Sequence, residues 1–407
     1  MFSKYQKFVI AVLAFLQFTI ILDFMIMSPL GAMMMPSLHI SPRQFGIVVS
    51  VYAFSAGLSG ILAAGFADRY DRKKFLMFFY TGFLLGTLFC ALAPNYELLV
   101  LARMFTGVFG GVIGSIVFAM ITDLFHYEQR GRVMGFIQTA FAASQVLGIP
   151  MGLYIATHWG WHMPFLMIVA VGLLVGLVIF FKLQPVKEHL KYKQEGNAFQ
   201  HMWNTASNKE YLFAFTATML LSMGGYMMMP FSTAYQVNNL KIPVESLTFI
   251  YLMTGVCSIF TGPIVGKISD QIGKLKTFVF GTLMASLMSI IYVNLPPTTI
   301  WIVTLVNALM FVGIFSRMIP TQAVISAIPE PKYRGSFMAI NASMQQIAGG
   351  AGSFVAGLIV YQQSETSPLE RFDWVGYLVV VFSLITWVMM TKIHKRVHQK
   401  DLNVINS

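Results

Sequence analysis

Twelve apolar stretches, each of roughly twenty residues, constrain this 407-residue chain more than any other feature. They fall near residues 8–38, 44–67, 75–93, 97–122, 133–157, 162–182, 210–235, 246–267, 277–295, 299–326, 336–360 and 374–392. Each is long enough to cross the hydrocarbon of a bilayer as a helix. Only 11% of residues are charged and 57% are hydrophobic, against about a quarter charged in a soluble domain. The spacing therefore predicts an all-α polytopic membrane protein of twelve transmembrane helices. The first stretch is basic at its start and longer than a signal-peptide core, with no small-residue cleavage site, so it reads as a retained span.

The net charge of +11 is distributed by topology. With the N-terminus in the cytoplasm, the inner loops and tails hold Lys4, Lys7, Arg69 to Lys74, Arg130, Arg132, Lys182 through Lys209, Lys267 to Lys276, Lys332, Arg334 and Lys392 to Lys400. The outer loops hold Arg43, Lys241 and Arg371. This asymmetry predicts cytoplasmic termini and a multi-pass protein of the inner (plasma) membrane, with membrane lipids rather than nucleic acid as the partner of its positive charge. The longest polar stretch runs from Lys182 to Tyr211 and divides the spans six and six. The expected organisation is an N-terminal six-helix bundle (1–183), a cytoplasmic linker (184–209), a C-terminal six-helix bundle (210–394) and a cytoplasmic tail (395–407). Local patterns recur across the divide: "GFADRYDRKK" and "GKISDQIGKLK" align Asp68 with Asp270, "QRGRVMG" and "YRGSFMA" align Gly131 with Gly335, and "MMMP" ends at Pro36 and again at Pro230. Such a duplication places a substrate site between the halves near the midplane, worked by rocking.

These residues carry a resemblance. "AGFADRYDRKK" resembles the signature loop of the major facilitator superfamily, with Ala64 and Asp71 where glycines are usual; the copy at 266–276 keeps both, as Gly266 and Gly273. "LLVLARMFTGVFGGVIGS" resembles the arginine and glycine-rich fourth span of proton-coupled members. "GIPMG" departs from the G-P-x-x-G-G of drug antiporters and is similar to the fifth-span region of sugar and arabinose-type efflux permeases, so the chain resembles the proton-coupled drug/sugar efflux permeases. The resemblance implies the major facilitator fold and secondary transport driven by a proton gradient, with no other cofactor. It also implies a gating role for Asp68 and Arg72 and a coupling role for a first-span acid with the fourth-span arginine.

Of sixteen acidic residues, Asp23 alone lies deep in a span, roughly 22 Å along its helix from the start of the apolar window. An ionised carboxylate there costs about 3 kcal/mol or more, so it must face the protein interior and be paired or protonated. It is either a structural pin or a carrier that binds and releases a proton as burial and a neighbouring arginine change. Arg103 is the expected partner, although by sequence it sits nearer the outer surface. Gly107, Gly110, Gly111 and Gly114 follow it and permit close helix approach.

Arg317, the second intramembrane arginine, admits two readings: a site for an anionic substrate group, or a side chain that snorkels inward or pairs with a loop acid. The inner loops contribute Asp68, Arg69, Arg72, Arg130, Asp270 and Arg334 as candidate cytoplasmic gate residues, with Asp68 and Asp270 able to cap a neighbouring helix. Substrate-binding candidates are Gln17, Met27, Gln138, Asn307, Asn341 and Gln345 with Arg317; Gln145 and Gln346 are further span amides that either line a cavity or bridge helices. The methionine runs give a soft lining or ordinary core. His158 and His162 flank Trp161 as interface anchors. Cys90 and Cys257 lie in apolar segments and suit packing. No phosphate-binding loop, metal cluster or soluble catalytic domain is present in the sequence. The sequence thus predicts a transporter rather than an enzyme, working as a monomer on a small organic molecule and on protons by efflux. Symport or uniport of a sugar, organic acid or lipid-like substrate is the alternative, and a transport-dead receptor or intramembrane enzyme a distant one.

Overall fold

The computed structural model describes residues 2–64, 70–187, 190, 203–330, 333–364 and 366–405. Asp68 and Arg69 lie outside the described residues, as does most of the linker, and the side chains of Arg130, Gln138 and Arg334 are likewise not described. The chain is helical almost throughout: α1 (Lys4–Ser37), α2 (Pro42–Ala64), α3 (Arg72–Leu92), α4 (Tyr96–Leu124), α5 (Tyr127–Ala143), α6 (Ile149–Trp159) and α7 (Met163–Lys182) form the first half. The second comprises α8 (Lys209–Met228), α9 (Ser232–Asn238), α10 (Leu247–Ile272), α11 (Lys274–Val293), α12 (Ile300–Ser326), α13 (Arg334–Ile359) and α14 (Phe372–Ile405). Helices are forced here, because hydrocarbon offers no hydrogen-bond partner to an open backbone. Their starts follow the sequence: Ser3 and Gln6 build a capping box on α1, and Asn95, Asn208 and Asp71 cap α4, α8 and α3.

Among the described residues, eleven spans are long and apolar enough to cross a membrane. The twelfth expected span is α13, a 26-residue helix that falls outside that set. Asn341, Ser343, Gln345, Gln346 and a run of glycines dilute it, and it packs against the protein rather than lipid: Gly350 faces the Ser50 carbonyl and Gly57 of α2 faces Ser343 and Ile347. Two spans are broken. The fifth passes from α5 through a π turn at Ser144–Gly148 into α6. The seventh tightens to a 3-10 turn at Met229–Phe231, where Pro230 has no N–H to continue the ladder.

Glycines set the helix spacing inside each half. A Cβ at Gly111 would overlap the Ala56 backbone of α2, and one at Gly86 would meet Thr106 at 2.5–2.9 Å. In the second half, Gly281 and Gly313 seat α11 against α12 in the same manner. The two halves meet along α2 and α13, where Gly57 faces Ser343 and Ile347 and Gly60 faces Ser343, and along the ends of the spans away from the termini. There Gly46 faces Ser353 and Gly357, Gly31 faces Phe45 and the Pro230 carbonyl, and Gly255 faces Gln145 and Val146 of the π turn. Ser28 donates a hydrogen bond to the Met229 carbonyl at the break in the seventh span. Phe24–Tyr226 and Phe45–Phe231 are edge-on aromatic pairs across the same boundary, at 5.4 and 6.1 Å. Toward the terminal ends, by contrast, a Cβ on Gly114, Gly135, Gly262 or Gly266 would meet nothing within 4 Å.

The departure at Asp71 has a structural use. Its carboxylate accepts from Lys73 N at the start of α3 and from Val186 N, while Arg72 N donates to the Val186 carbonyl. The segment leaving α7 is thereby strapped across the terminal end of the first half. Between His158, which is exposed, and His162, which is half-buried, Trp161 is buried, donates to Ser37 Oγ at 3.0 Å and stacks on His162. Its indole N–H finds its partner at the end of α1 instead of at the membrane surface.

The glycine contacts give a paired test. Gly111→Val forces α2 and α4 apart at a cost of about 1–3 kcal/mol, whereas Gly114→Val, three residues on, enters open space. Purified Gly111→Val protein is expected to melt several degrees below the parent, with Gly114→Val close to it.

Candidate functional site

The most deeply buried polar cluster gathers side chains from the first four helices. Asp23 of α1 and Arg103 of α4 are both 0% exposed and form a salt bridge, Asp23 Oδ2 to Arg103 Nη1, at 2.8 Å. Thr87 of α3 donates to Asp23 Oδ1 at 3.1 Å, so each carboxylate oxygen has a donor. The ring of Tyr52 from α2 lies with its centroid 4.3 Å from the guanidinium carbon, a buried cation–π arrangement. Arg103 Nε and Nη2 have no hydrogen-bond partner. Cys90, also buried, contacts Thr106 at 3.7 Å, and one turn along α1 from Asp23 the Thr19 hydroxyl meets Tyr80 at 3.3 Å.

Local folding explains why these groups meet. Gly107 and Gly110 of α4 lie against the Tyr52 backbone and hydroxyl, which brings the ring of α2 over the arginine one turn away. The depth mismatch expected from the sequence is small. α1 begins at Lys4, earlier than its apolar window, so Asp23 lies roughly 29 Å from the terminal end of its helix, and Arg103 roughly 32 Å from Leu124 at the same end of α4. The cluster reaches the other half through Phe24, which packs on Tyr52 at 5.5 Å and on Tyr226 of α8 at 5.4 Å.

An ion pair of this kind has a defined chemistry. Two charges in hydrocarbon are tolerated only as a neutral unit, and removing one leaves the other at a cost of about 3–5 kcal/mol. A proton on Asp23 neutralises the carboxylate and leaves Arg103 seeking other acceptors, with two N–H groups already unengaged.

The other sequence candidates are dispersed. Met27 is buried and Gln17 half-buried on α1; Asn307 is buried on α12 and Gln345 half-buried on α13. Asn341 accepts from Thr218 at 2.6 Å and so bridges α13 to α8. Arg317 is buried and donates to Ser383 at 2.9 Å, so the acceptor is a neutral hydroxyl of α14 where a loop acid was one expectation. Arg72 is buried in a 2.9 Å salt bridge with Asp123, at the other end of α4, inside the first half; Asp270 is exposed. Tyr52, Thr87 and Tyr226 were not among the sequence candidates. Their one signal was polarity within an apolar span. Among the described residues, no group of three or more His, Cys, Asp or Glu gathers to hold a metal.

Two bundles of six spans, meeting at a polar, glycine-lined seam, are the architecture of a multi-span membrane transporter. The sequence profile of the Major Facilitator Superfamily matches residues 13–319 and 214–404, and the chain belongs to that family. It is a transporter, not an enzyme. It is 25% identical over 388 residues to the MFS-type transporter YceJ of Bacillus subtilis (strain 168), covering 93% of this chain and 95% of that one. It is 31% identical over 152 residues to multidrug resistance protein 3 of the same organism, covering 37% of this chain and 29% of that one. A crystal structure of a bacterial homologue of the human lysosomal transporter Spinster, inward-facing and unoccupied, shares the fold with a TM-score of 0.79 at 15% identity, over 98% of this chain and 99% of that one.

The pair predicts a non-additive mutational pattern. Asp23→Asn and Arg103→Gln each leave one charge without its counter-ion. The double variant removes both charges. Thermal midpoints of the purified proteins are expected to show each single variant less stable than the double, a coupling of about 1–3 kcal/mol in a double-mutant cycle.

Proposed function

We propose that this transporter is a proton-coupled antiporter that exports a small organic molecule by alternating access, with Asp23 as the proton carrier. The observation that carries the reading is the wholly buried Asp23–Arg103 pair beside the seam between the halves. With Asp23 ionised, the pair is neutral and α1 is drawn to α4. With Asp23 protonated, the acid offers Arg103 only a neutral acceptor, the hold of α1 on α4 weakens, and Tyr52 and Phe24 are free to shift against Tyr226. A protonation change is thereby converted into a change of packing between the halves. The contacts along the ends away from the termini, and the open glycine faces near the terminal ends, fit a state open on the terminal side.

In this reading both termini are cytoplasmic and the protein sits in the inner membrane as a functional monomer. The proton gradient is its only energy source. Met27, Gln17, Asn307, Asn341, Gln345 and Gln138 are the residues offered to the substrate. Asp68, Arg69, Arg72, Arg130, Asp270 and Arg334 serve the cytoplasmic gate.

The test uses inverted membrane vesicles, energised to be acid inside, and a panel of labelled cationic, neutral and anionic small molecules. Accumulation of a panel member that collapses with the proton gradient and is lost in Asp23→Asn is the expected result. Gradient-driven expulsion of the label would show symport instead. Accumulation that survives Asp23→Asn would remove the carboxylate from the coupling step.

A further inference from the structure

The second half holds a cation in its core with no acid to match it among the described residues. Arg317 lies nine residues before Ser326 on α12, roughly 14 Å from the terminal end of the span. Thr218, Gly281, Asn341 and Ser383 stand at a similar depth on α8, α11, α13 and α14, so the arginine belongs to a polar layer across the bundle. The described acids of this half, Glu210, Glu245, Asp270, Glu330, Glu370 and Asp373, all stand in loops or near helix ends. Asp23, in the other half, is committed to Arg103.

The guanidinium is engaged on one side only. Nη1 donates to Ser383 Oγ, and that hydroxyl itself donates to the Val379 carbonyl, so it brings no negative charge. Nε is buried with no partner, and Nη2 makes no hydrogen bond among the described residues. Nε and Nη2 form the side of the guanidinium whose two N–H bonds run parallel, the geometry that grips a carboxylate or phosphate with two oxygens. Arg317 also keeps 5% of its surface, where Arg103 keeps none. The Ser286 hydroxyl, little more than one turn along α11 from Gly281, is a second buried donor without a partner. A permanently charged group buried in this way calls for a counter-ion, and the described residues supply none.

We propose that Arg317 is the fixed cation of an anion subsite in the second half, taking one carboxylate or phosphate group on its Nε–Nη2 side. Ser383 holds the guanidinium in place from the opposite side. The group comes either from a soluble anion, which makes the exported molecule or a co-ligand anionic, or from an anionic lipid headgroup. The site stands apart from the proton carrier, and its readout is ligand binding rather than proton flux, so either proposal can fail alone.

The experiment measures the thermal midpoint of the full-length protein in phosphatidylcholine nanodiscs titrated with benzoate, inorganic phosphate and the neutral control benzamide. The titration is repeated in discs containing phosphatidylglycerol. A saturable rise of about 2 °C or more with benzoate or phosphate, none with benzamide, and loss of the rise in Arg317→Gln is the expected result for a soluble anion. A rise seen only with phosphatidylglycerol, and lost in Arg317→Gln, assigns the same subsite to a lipid headgroup. Arg317→Lys keeps the charge without the parallel N–H pair, is expected to respond about tenfold more weakly, and serves should Arg317→Gln fail to fold. An equal response in parent and Arg317 variants, or none with any anion in either bilayer, overturns the proposal.

Discussion

The placement of Asp23 against Arg103 is the contact on which the rest of the first half depends. In hydrocarbon neither charge is tolerable alone, so α1 and α4 must lie at the same depth and bring these two side chains face to face. That requirement reaches further. α3 must pass close enough to offer Thr87, and α2 must approach α4 closely enough to lay Tyr52 over the guanidinium. Gly107, Gly110 and Gly111 make the second approach possible, because any larger residue would strike the backbone or ring of α2. The glycine stripe and the ion pair are therefore one device. The stripe sets the distance and the pair sets the register.

The same logic accounts for where the halves touch. Small residues cluster at their contacts: Gly46 with Gly357, Gly57 with Ser343, Gly350 with Ser50, Gly255 with the π turn. Association in a membrane gains nothing from expelling water between apolar surfaces, so close packing and a few polar contacts must hold the interface. An interface built from such contacts can be exchanged for another at modest cost, which suits two bundles that rock about a common seam. The two broken spans lie at this seam, the π turn against α10 and the Met229–Phe231 turn against α1. Backbone departures from the regular helix thus occur where one half must conform to the other.

Much of this was legible in the sequence, and the exceptions have physical causes. Span positions and the two-half division follow from hydropathy, which registers directly whether a segment is stable in lipid. α13 shows the limit of that signal: its window at 336–360 reads as apolar, but Asn341, Gln345 and Gln346 lower its hydropathy because it faces protein, and it is the one expected span outside the eleven. Asp23 was legible because a lone acid in an apolar run has so few uses. Its distance from Arg103 was not, since the window on the first span began at Phe8, after the helix had started at Lys4. Tyr52 and Thr87 were hidden among many span hydroxyls, because nothing in a single sequence states which helix faces which. Asp71 was visible only as a departure from a loop pattern; its contacts with Lys73 N and Val186 N depend on a segment 115 residues away.

The halves share an architecture but divide their charge unequally. In the first, the buried arginine has an acid and the pair is neutral; in the second, Arg317 has no acid beside it among the described residues. A duplicated bundle that retained both charges on both sides would be closed electrostatically, with nothing for a ligand to complete. If Asp23 carries the proton and Arg317 takes an anion, as proposed above, the asymmetry leaves one half sensitive to a proton and the other to an anion. A proton arriving at Asp23 raises the charge of the buried core by one, and an anion arriving at Arg317 lowers it by one. Charge balance in a low-dielectric interior then links the two events without any direct contact between them, since each makes the other less costly. That linkage has a sign. Acting alone, it favours a proton and an anion bound together, as in symport. Exchange of the two therefore requires the rocking of the halves to expose only one site at a time, which places the burden of export on the packing at the seam.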